Sequence, residues 1–325
     1  MVLGELALET AIEINKLVKE FRVKSGRFRA LDEVSFSIGK GEIIGLVGPN
    51  GAGKTTLMSC MLGILKPNEG SINIDGMSPD ALSVHKQVGF VPERLNYINW
   101  MTGRQFVTFH AKLSQFEKSK IPEEAGLVLE RVQLDRKAWD RKIKSYSRGM
   151  LQRVGMAQAL LHSPNFLFLD EPSSGLDPEG INLFRTLIKE EKDRGCTIII
   201  NSHQLDQLEK VSDRVILLKN GSIKGDRSIK DLTTLAGTLQ VKWSPEVIES
   251  IELEILNVVA EKAGAELEQF NFPIALFKTA GEAMNTKLIA ELNRASIPIA
   301  EAIPTASKLE QFFDLGDFEG AAQNE

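Results

Sequence analysis

The stretch from Gly48 to Thr56 holds residues whose types and spacing suit the binding of phosphate groups. It reads Gly-Pro-Asn-Gly-Ala-Gly-Lys-Thr-Thr and fits the pattern G-x-x-x-x-G-K-[ST]. Glycines let successive backbone N–H groups point inward at phosphate oxygens, and the lysine adds a positive charge. The sequence therefore predicts that this loop binds a nucleoside triphosphate.

The segments on either side of this loop strengthen the prediction. The apolar run 42–47 indicates a buried strand, and the run 57–62 indicates a helix. In such a loop Lys54 supplies charge to the β- and γ-phosphates, and Thr55 supplies a hydroxyl to Mg²⁺. The alternative, a glycine turn with an exposed lysine, is disfavoured by the order strand, loop, helix. The loop residues predicted to contact the nucleotide are Asn50, Gly51, Ala52, Gly53, Lys54, Thr55 and Thr56.

The 325 residues allow one large domain or two ordinary ones, and 42% hydrophobic and 26% charged residues are typical of a globular protein. The net charge of −5 is unevenly distributed. Residues 226–325 carry 8 basic and 17 acidic side chains, which leaves 31 basic and 27 acidic ones for residues 1–225. The acidic end argues against a nucleic-acid partner.

Two cysteines, Cys60 and Cys196, make neither a disulfide framework nor a zinc site, which fits a reducing cytosol. Apolar runs fall short of the roughly 18–20 residues that span a bilayer. The N-terminus lacks the basic start of a secretion signal. Any role at a membrane is therefore expected to be exercised through a partner protein.

Hydrophobic patterning predicts an α/β fold around the phosphate loop. Alternating residues at 13–18 and 30–38 indicate two antiparallel strands ahead of it. Residues from about 99 to 161 are helical in pattern and indicate an all-helical insertion. The apolar runs 166–170 and 197–203 indicate buried strands of a parallel sheet. We assign residues 11–225 to this nucleotide-binding domain.

Composition changes after this domain, and residues 226–325 form a second, accessory domain with an acidic tail. Their pattern predicts a ferredoxin-like unit in the order strand, helix, hairpin, helix, strand. The expected elements are 238–243, 245–263, 267–279, 282–294 and 297–303, followed by a helical turn at 307–313.

Two further motifs carry candidate chemistry. Asp170 and Glu171 end an apolar run, where one carboxylate can hold Mg²⁺ and the next can polarise a water molecule. A solvated strand end is the alternative, and the phosphate loop together with the run 172–178 disfavours it. Ser147 caps a helix whose N-terminus is able to meet an anion, although an ordinary capped helix has the same pattern.

Over residues 13–225 these motifs together resemble the nucleotide-binding subunit of an ATP-binding-cassette (ABC) transporter. The order of motifs is specific to that family. Lys54 falls in its Walker A loop, residues 146–150 at its Leu-Ser-Gly-Gly-Gln signature, residues 169–172 at its Walker B strand, residues 174–177 at its D-loop, and His203 at its switch histidine.

The resemblance implies ATP and Mg²⁺ as ligands and assigns roles to single residues. Phe21 falls where an aromatic ring stacks on adenine. Glu171 is similar to the general base, Asp170 to the Mg²⁺ carboxylate, and His203 to the residue that contacts the γ-phosphate. Glu93 stands where the family has a glutamine that ligates Mg²⁺, and a carboxylate there is familiar among drug, lipid and polysaccharide exporters.

The resemblance also implies a dimer of two cassettes, with the same or a different chain as partner. In that arrangement Ser147 and Gly149 bind the ATP of the partner. The signature departs from the family pattern at its first position, Tyr146, and at Arg148, which replaces a glycine. The segment 308–313 resembles the end of the appendix on exporter ATPases, either as a dimer-stabilising extension or as part of a sensor that sets activity.

The first hypothesis is therefore an ATPase subunit at the cytoplasmic face of the membrane, powering an exporter whose transmembrane permease is a separate chain. The alternative is a soluble cassette ATPase acting on DNA or ribosomes. Such proteins carry two cassettes or a long coiled coil, whereas this sequence has one Walker A motif and lacks a coiled-coil pattern. Its acidic C-terminus disfavours a nucleic-acid target as well.

Overall fold

The computed structural model describes residues 9–24, 26–93, 97–114, 116–234, 237–243 and 251–304. The chain forms two compact units. One comprises Met1–Gln204 and Lys210–Asp226, and the other comprises Leu205–Glu209 and Arg227–Glu325.

Up to residue 228 the strands and helices build a central, largely parallel sheet and a smaller antiparallel sheet. In chain order they are β1 (Thr10–Val23), β2 (Gly26–Gly39), β3 (Ile43–Val47), α1 (Lys54–Met61), β4 (Glu69–Ile74), α2 (Leu82–His85), β5 (Val88–Val91), α3 (Gly103–Leu113), α4 (Ile121–Arg131), α5 (Arg148–Leu160), β6 (Phe166–Asp170), α6 (Pro178–Asp193), β7 (Thr197–Asn201), α7 (Leu205–Val211), β8 (Arg214–Lys219) and β9 (Ser222–Ser228).

The central sheet has the strand order β5-β6-β7-β3-β8-β9, and β3 runs parallel to both of its neighbours. Every residue of β3, β6 and β7 is buried. Strands buried on both faces require continuous apolar sequences, which these three have. The carboxyl ends of β3, β6 and β7 therefore meet at one edge, where the phosphate loop begins.

A second sheet, of order β2-β1-β4, is antiparallel and packs on the first through α1. One apolar core joins them, and its members include Ile12, Leu31, Leu57, Met61, Ile199 and Ile216. The predicted α/β core with an antiparallel subdomain is confirmed. The strands are longer than the alternating segments indicated, because β1 continues to Val23 and thus includes Phe21.

The predicted helical insertion is formed by α3, α4 and the start of α5. Thr102 begins α3 with a capping box, in which its hydroxyl and the Gln105 side chain each bond the other's backbone N–H. The insertion is tied to the core by Arg131 at the end of α4, whose Nη1 lies 2.7 Å from Oε1 of Glu191 on α6. Glu191 is fully buried and also pairs with Arg194, so its charge is compensated on both oxygens.

Helix α6 begins directly after its capping residue. Asp177 caps it by accepting a hydrogen bond from Gly180 N at 2.7 Å, and Pro178 is its first residue. Proline suits this position because the first N–H groups of a helix have no partner within the helix.

The second unit contains β10 (Gly237–Lys242), α8 (Leu253–Ala263), β11 (Glu266–Asn271), β12 (Ile274–Thr279), α9 (Glu282–Arg294) and β13 (Glu301–Pro304). Its strands form an antiparallel sheet of order β11-β12-β10-β13. Its core includes Leu239, Val241, Leu256, Phe277 and Leu288. The beginning of the helix predicted at 245–263 and the helical turn predicted at 307–313 lie outside the described residues.

Among the residues that the structure describes, every helix is too short or too polar to cross a membrane.

Candidate functional site

The glycine loop connects β3 to α1 along a path that two glycines make possible. Gly48 has φ 149°, and a Cβ there would lie 2.0 Å from the backbone oxygen of Leu218. Gly53 has φ 105°, and a Cβ there would lie 2.5 Å from the backbone oxygen of Ala30. Both distances are far below van der Waals contact, so the loop passes between β2 and β8 only because these two residues lack side chains.

Lys54, the first residue of α1, is held inside this loop. It is 9% exposed, and its Nζ donates hydrogen bonds to Gly48 O at 2.7 Å and to Pro49 O at 3.1 Å. Burial lowers the pKa of the ammonium group, and the carboxylates of Glu171 and Asp170 oppose that effect. The loop therefore keeps a positive charge at the base of the cleft, beside the helix N-terminus.

The loop forms one wall of a cleft of about 410 Å³. The lining residues are Phe21, Phe28, Ala30, Asn50, Gly51, Ala52, Gly53, Lys54, Thr55, Thr56, Glu93, Glu171, Ser174, Asn201 and His203. Residues from the antiparallel sheet, the loop and the ends of three parallel strands thus converge on one space. Most residues that the sequence pointed to are among them.

Phe21 and Phe28 form the apolar end of this cleft. They face each other across the antiparallel pair β1 and β2, close to the hairpin that joins these strands. Phe28 is half exposed, and Lys19 Nζ lies 5.4 Å from the centroid of the Phe21 ring. Two rings and a cation at the rim present faces on which a flat aromatic group can stack.

The carboxylates lie at the opposite end. Asp170 is 5% exposed, and burial raises the pKa of its carboxyl group, whereas a hydrogen bond from Asn201 Nδ2 at 2.6 Å lowers it. Glu171 has φ 50°, a conformation that costs a non-glycine residue energy and that often occurs at functional sites. The turn takes the Glu171 side chain from the strand into the cleft.

Glu171 and His203 contact each other directly. Nδ1 of His203 lies 2.8 Å from Oε2 of Glu171, and His203 N donates to Oε1 at 3.1 Å. Ser202 Oγ lies 3.4 Å from Oε2. The carboxylate is thus held by backbone and side-chain donors that follow β7, with its side chain 13% exposed toward the cleft.

The donor set suits a hard cation. Thr55 offers a hydroxyl, Glu93 a carboxylate at the cleft wall, and Asp170 a buried carboxylate beside it. Mg²⁺ prefers such oxygen donors and completes its shell with waters and substrate phosphates. Within the described ranges, groups of three or more His, Cys, Asp or Glu side chains that could hold a metal ion are absent. A cation here would therefore need further oxygens from the bound nucleotide and water.

The predicted signature residues lie elsewhere in the chain's own fold. Ser147 caps α5 by accepting from Met150 N at 3.3 Å, and neither it nor Gly149 lines the cleft. Arg148 donates to Ser174 Oγ at 2.7 Å. Tyr146 is buried, and its hydroxyl donates to Ala138 O at 2.6 Å, which anchors the start of α5 to the helical insertion.

Four lining residues were not predicted as site residues from the sequence: Phe28, Ala30, Asn201 and Ser174, the last of which was assigned only to the D-loop. Phe28 could have been predicted as a cleft residue because it lies beside a turn, opposite Phe21 in a hairpin. Asn201 ends the apolar run Thr-Ile-Ile-Ile-Asn, just as Asp170 ends its own, and the two pair in register across β6 and β7. Polar residues at the carboxyl ends of neighbouring parallel strands meet at one edge.

This fold and cleft define a nucleotide-binding protein of the phosphate-loop class. Residues 31–174 match the family model described as ABC transporter. The chain is 39% identical over 228 residues to the ABC transporter ATP-binding protein YdbJ of Bacillus subtilis, covering 67% of this chain and 71% of that one. It therefore belongs to the ATP-binding proteins of ABC transporters, the subunits that bind ATP and power transport.

Two further relatives from Bacillus subtilis have names that state a process. The SkfA peptide export ATP-binding protein SkfE is 32% identical, over 73% of this chain and 95% of its own. The linearmycin resistance ATP-binding protein LnrL is 28% identical, over 89% of this chain and 93% of its own. Among solved structures, the dimeric post-hydrolysis cassette MJ0796 bound to ADP and Pi has a TM-score of 0.63 at 24% identity, over 67% of this chain and 98% of that one. That similarity shows the shared fold.

Proposed function

We propose that the protein hydrolyses ATP and thereby powers export through a separately encoded transmembrane permease, at the cytoplasmic face of the membrane. The observation that carries the proposal is the cleft that joins the glycine loop to the Glu171–His203 pair. The export direction is supported by Glu93, which stands at the position of the usual glutamine, and by the names of SkfE and LnrL. The family core extends over residues 11–225, and residues 226–325 form an accessory domain.

In this proposal each end of the cleft has its own task. The amides of the loop, from Asn50 to Thr56, and the ammonium of Lys54 hold the triphosphate. Glu171 accepts a proton from the attacking water, and His203 keeps the Glu171 carboxylate in position through its backbone N–H and the contact of its Nδ1. His203 also lines the cleft, where it is able to contact the γ-phosphate.

Mg²⁺ accompanies the nucleotide in this proposal and is held by Thr55, Glu93 and Asp170. When bound, such a cation neutralises charge that develops on the phosphate oxygens during transfer. The residues themselves supply oxygen donors from three different elements: α1, the segment after β5, and the end of β6. Glu93 adds a negative charge that a glutamine would not, and it faces the triphosphate side of the cleft.

The adenine ring is assigned to the two phenylalanines. Replacing Phe21 or Phe28 with alanine is expected to weaken ATP binding by about 5- to 150-fold, since base–aromatic stacking contributes about 1–3 kcal/mol. Titration with a fluorescent ATP analogue measures this. Inorganic tripolyphosphate, which has no base, should compete equally well in the variants and the wild type.

Val23→Ala is the matched control for this prediction, because Val23 lies on the same strand, is exposed, and is absent from the cleft lining. It should bind ATP as the wild type does. Equal losses of ATP and tripolyphosphate affinity in the phenylalanine variants would mean that the hairpin supports the loop and does not stack on the base.

The cleft that one chain forms is lined without the residues of the signature helix. Ser147 and Gly149 lie outside its lining, at the N-terminus of α5, where the Ser147 hydroxyl accepts from Met150 N. We assign these two residues to the ATP of a second cassette, in a homodimer or a heterodimer. ATP then stabilises the dimer, and its hydrolysis releases the two chains.

The transporter assignment is tested by purification from membranes. The full-length protein should co-purify with a multispanning membrane protein, and its ATPase rate should change when the two are reconstituted together. Recovery with ribosomes or DNA in place of a membrane protein would favour the alternative of a soluble cassette ATPase.

The accessory domain is proposed either to stabilise the dimer or to set activity. Deleting residues 226–325 is expected to change ATP-dependent dimerisation in the first case and the ATPase rate of the dimer in the second. Both quantities are measured on the same preparation, by light scattering and by phosphate release. Unchanged values for both would leave this domain without either role.

A further inference from the structure

Asn201, the last residue of β7, contacts both residues of the Asp170–Glu171 pair. Its side-chain Nδ2 donates to Asp170 Oδ1 at 2.6 Å, and its backbone oxygen accepts from Glu171 N at 2.8 Å. The side-chain bond joins residues that pair in register on neighbouring parallel strands. A single residue thereby fixes the point at which β6 ends and the turn into the cleft begins.

The other half of the Asn201 amide is unsatisfied. The residue is 3% exposed, and its Oδ1 is buried without a hydrogen-bond partner among the described residues. Buried polar atoms nearly always have a partner, so an orphaned acceptor requires an explanation. Asn201 lines the nucleotide cleft, and a donor that arrives with the ligand is the simplest partner for it.

The surroundings limit what that donor is. The lysine that lines the cleft, Lys54, directs two of its three N–H donors to carbonyls of its own loop. Among the other ionisable groups of the cleft lining, the carboxylates of Glu93 and Glu171 only accept, and Nδ1 of the His203 ring contacts Glu171. A water molecule carried by a divalent cation has the hydrogen atoms that this acceptor lacks.

We propose that Asn201 is a positioning residue for the divalent cation that accompanies ATP: its amide nitrogen fixes the Asp170 carboxylate, and its amide oxygen receives a cation-bound water. This inference rests on the proposed function. Groups that orient metal ligands in this way typically change metal affinity by about 10- to 100-fold when they are removed. The role differs from that of Glu171 and His203, because it concerns the cation and not the attacking water.

The experiment uses the full-length protein and measures two affinities separately. A fluorescent ATP analogue is titrated in EDTA, and Mn²⁺ binding is then followed by electron paramagnetic resonance with a non-hydrolysable ATP analogue present. Asn201→Ala should weaken Mn²⁺ binding by about 10- to 100-fold. The affinity for the ATP analogue in EDTA should stay within about twofold, since the loop that holds the phosphates is untouched.

Thr197→Val is the matched control. Thr197 is buried at the other end of β7, and its hydroxyl accepts a hydrogen bond from Gly41 N at 3.0 Å. The control therefore removes one buried hydrogen bond from the same strand without touching the cleft, and Mn²⁺ binding should match that of the wild type. If Asn201→Ala does not fold, Asn201→Ser applies the same test, because the serine side chain is shorter than that of asparagine and lacks the amide group.

A double variant separates this role from general support of the strand. If Asn201 acts through Asp170, adding Asn201→Ala to Asp170→Asn should weaken Mn²⁺ binding much less than it does in the wild type. Unchanged Mn²⁺ affinity in folded Asn201→Ala, or an equal loss of ATP affinity in EDTA, would overturn the inference. Wild-type protein that binds Mn²⁺ equally with and without nucleotide would instead overturn the proposed metal site itself.

Discussion

Replacing Glu171 with glutamine is expected to lower the rate of ATP hydrolysis by about 10²- to 10⁴-fold, the range that general base catalysis contributes. Glutamine keeps the size of the side chain and an oxygen that can accept from His203 N, which lies 3.1 Å from Oε1. It cannot take the proton of the attacking water. ATP binding should remain within about twofold, and ATP-bound dimers should accumulate. Phosphate release and light scattering measure the two effects.

Glu190→Gln is the control for this substitution. Glu190 lies on the outer side of α6, where it pairs with Arg131 at the surface and is half exposed. The same chemical change there should leave hydrolysis at the wild-type rate, because surface ion pairs contribute little. Normal turnover in Glu171→Gln would remove Glu171 from its role as the base.

Replacing Gly48 with alanine is expected to abolish measurable ATP binding and to destabilise the fold. The added Cβ would lie 2.0 Å from Leu218 O, so the loop or β8 must move. The backbone conformation alone costs a non-glycine residue about 1–3 kcal/mol, and 1.4 kcal/mol already corresponds to a tenfold change in an equilibrium constant. Thermal unfolding and titration with an ATP analogue measure both effects.

Gly51→Ala separates backbone strain from steric overlap. Gly51 also has a positive φ, 82°, yet a Cβ there would meet no atom within 4 Å. This control should lose only about 1–2 kcal/mol of stability, the cost of a left-handed conformation. Losses of the same size in both variants would mean that the approach to Leu218 does not constrain the loop.

Local pattern was enough to predict the parts of the site that lie within one segment of sequence. The glycine loop, the buried strand ending in Asp170 and the capped helix at Ser147 are each determined by neighbouring residues, and the structure places them as expected. The roles assigned to these residues stay predictions. The α/β core was predictable because its central strands β3, β6 and β7 are mostly apolar, whereas helices α3 and α4 have one apolar face and one polar face.

What the sequence did not reveal depends on contacts between distant segments. Phe28 enters the cleft because β1 and β2 pair in a register that places it opposite Phe21. Asn201 matters because β6 and β7 are neighbours with matched ends. The ion pair between Arg131 and the buried Glu191 likewise joins the helical insertion to a helix about 60 residues away in sequence. Pairing registers and packing partners are properties of the assembled sheet, which a single sequence specifies only indirectly.

The two close approaches of the glycine loop, to Ala30 on one side and Leu218 on the other, limit how far this segment can adjust. The clearance on both sides is smaller than a methyl group. The loop therefore cannot change its backbone conformation to fit different anions, because the spacing of β2 and β8 determines its shape. The affinity for a triphosphate thus depends on the distance between the two sheets that contain β2 and β8. Core substitutions that change this distance should therefore change the affinity, even where they lie far from any ligand.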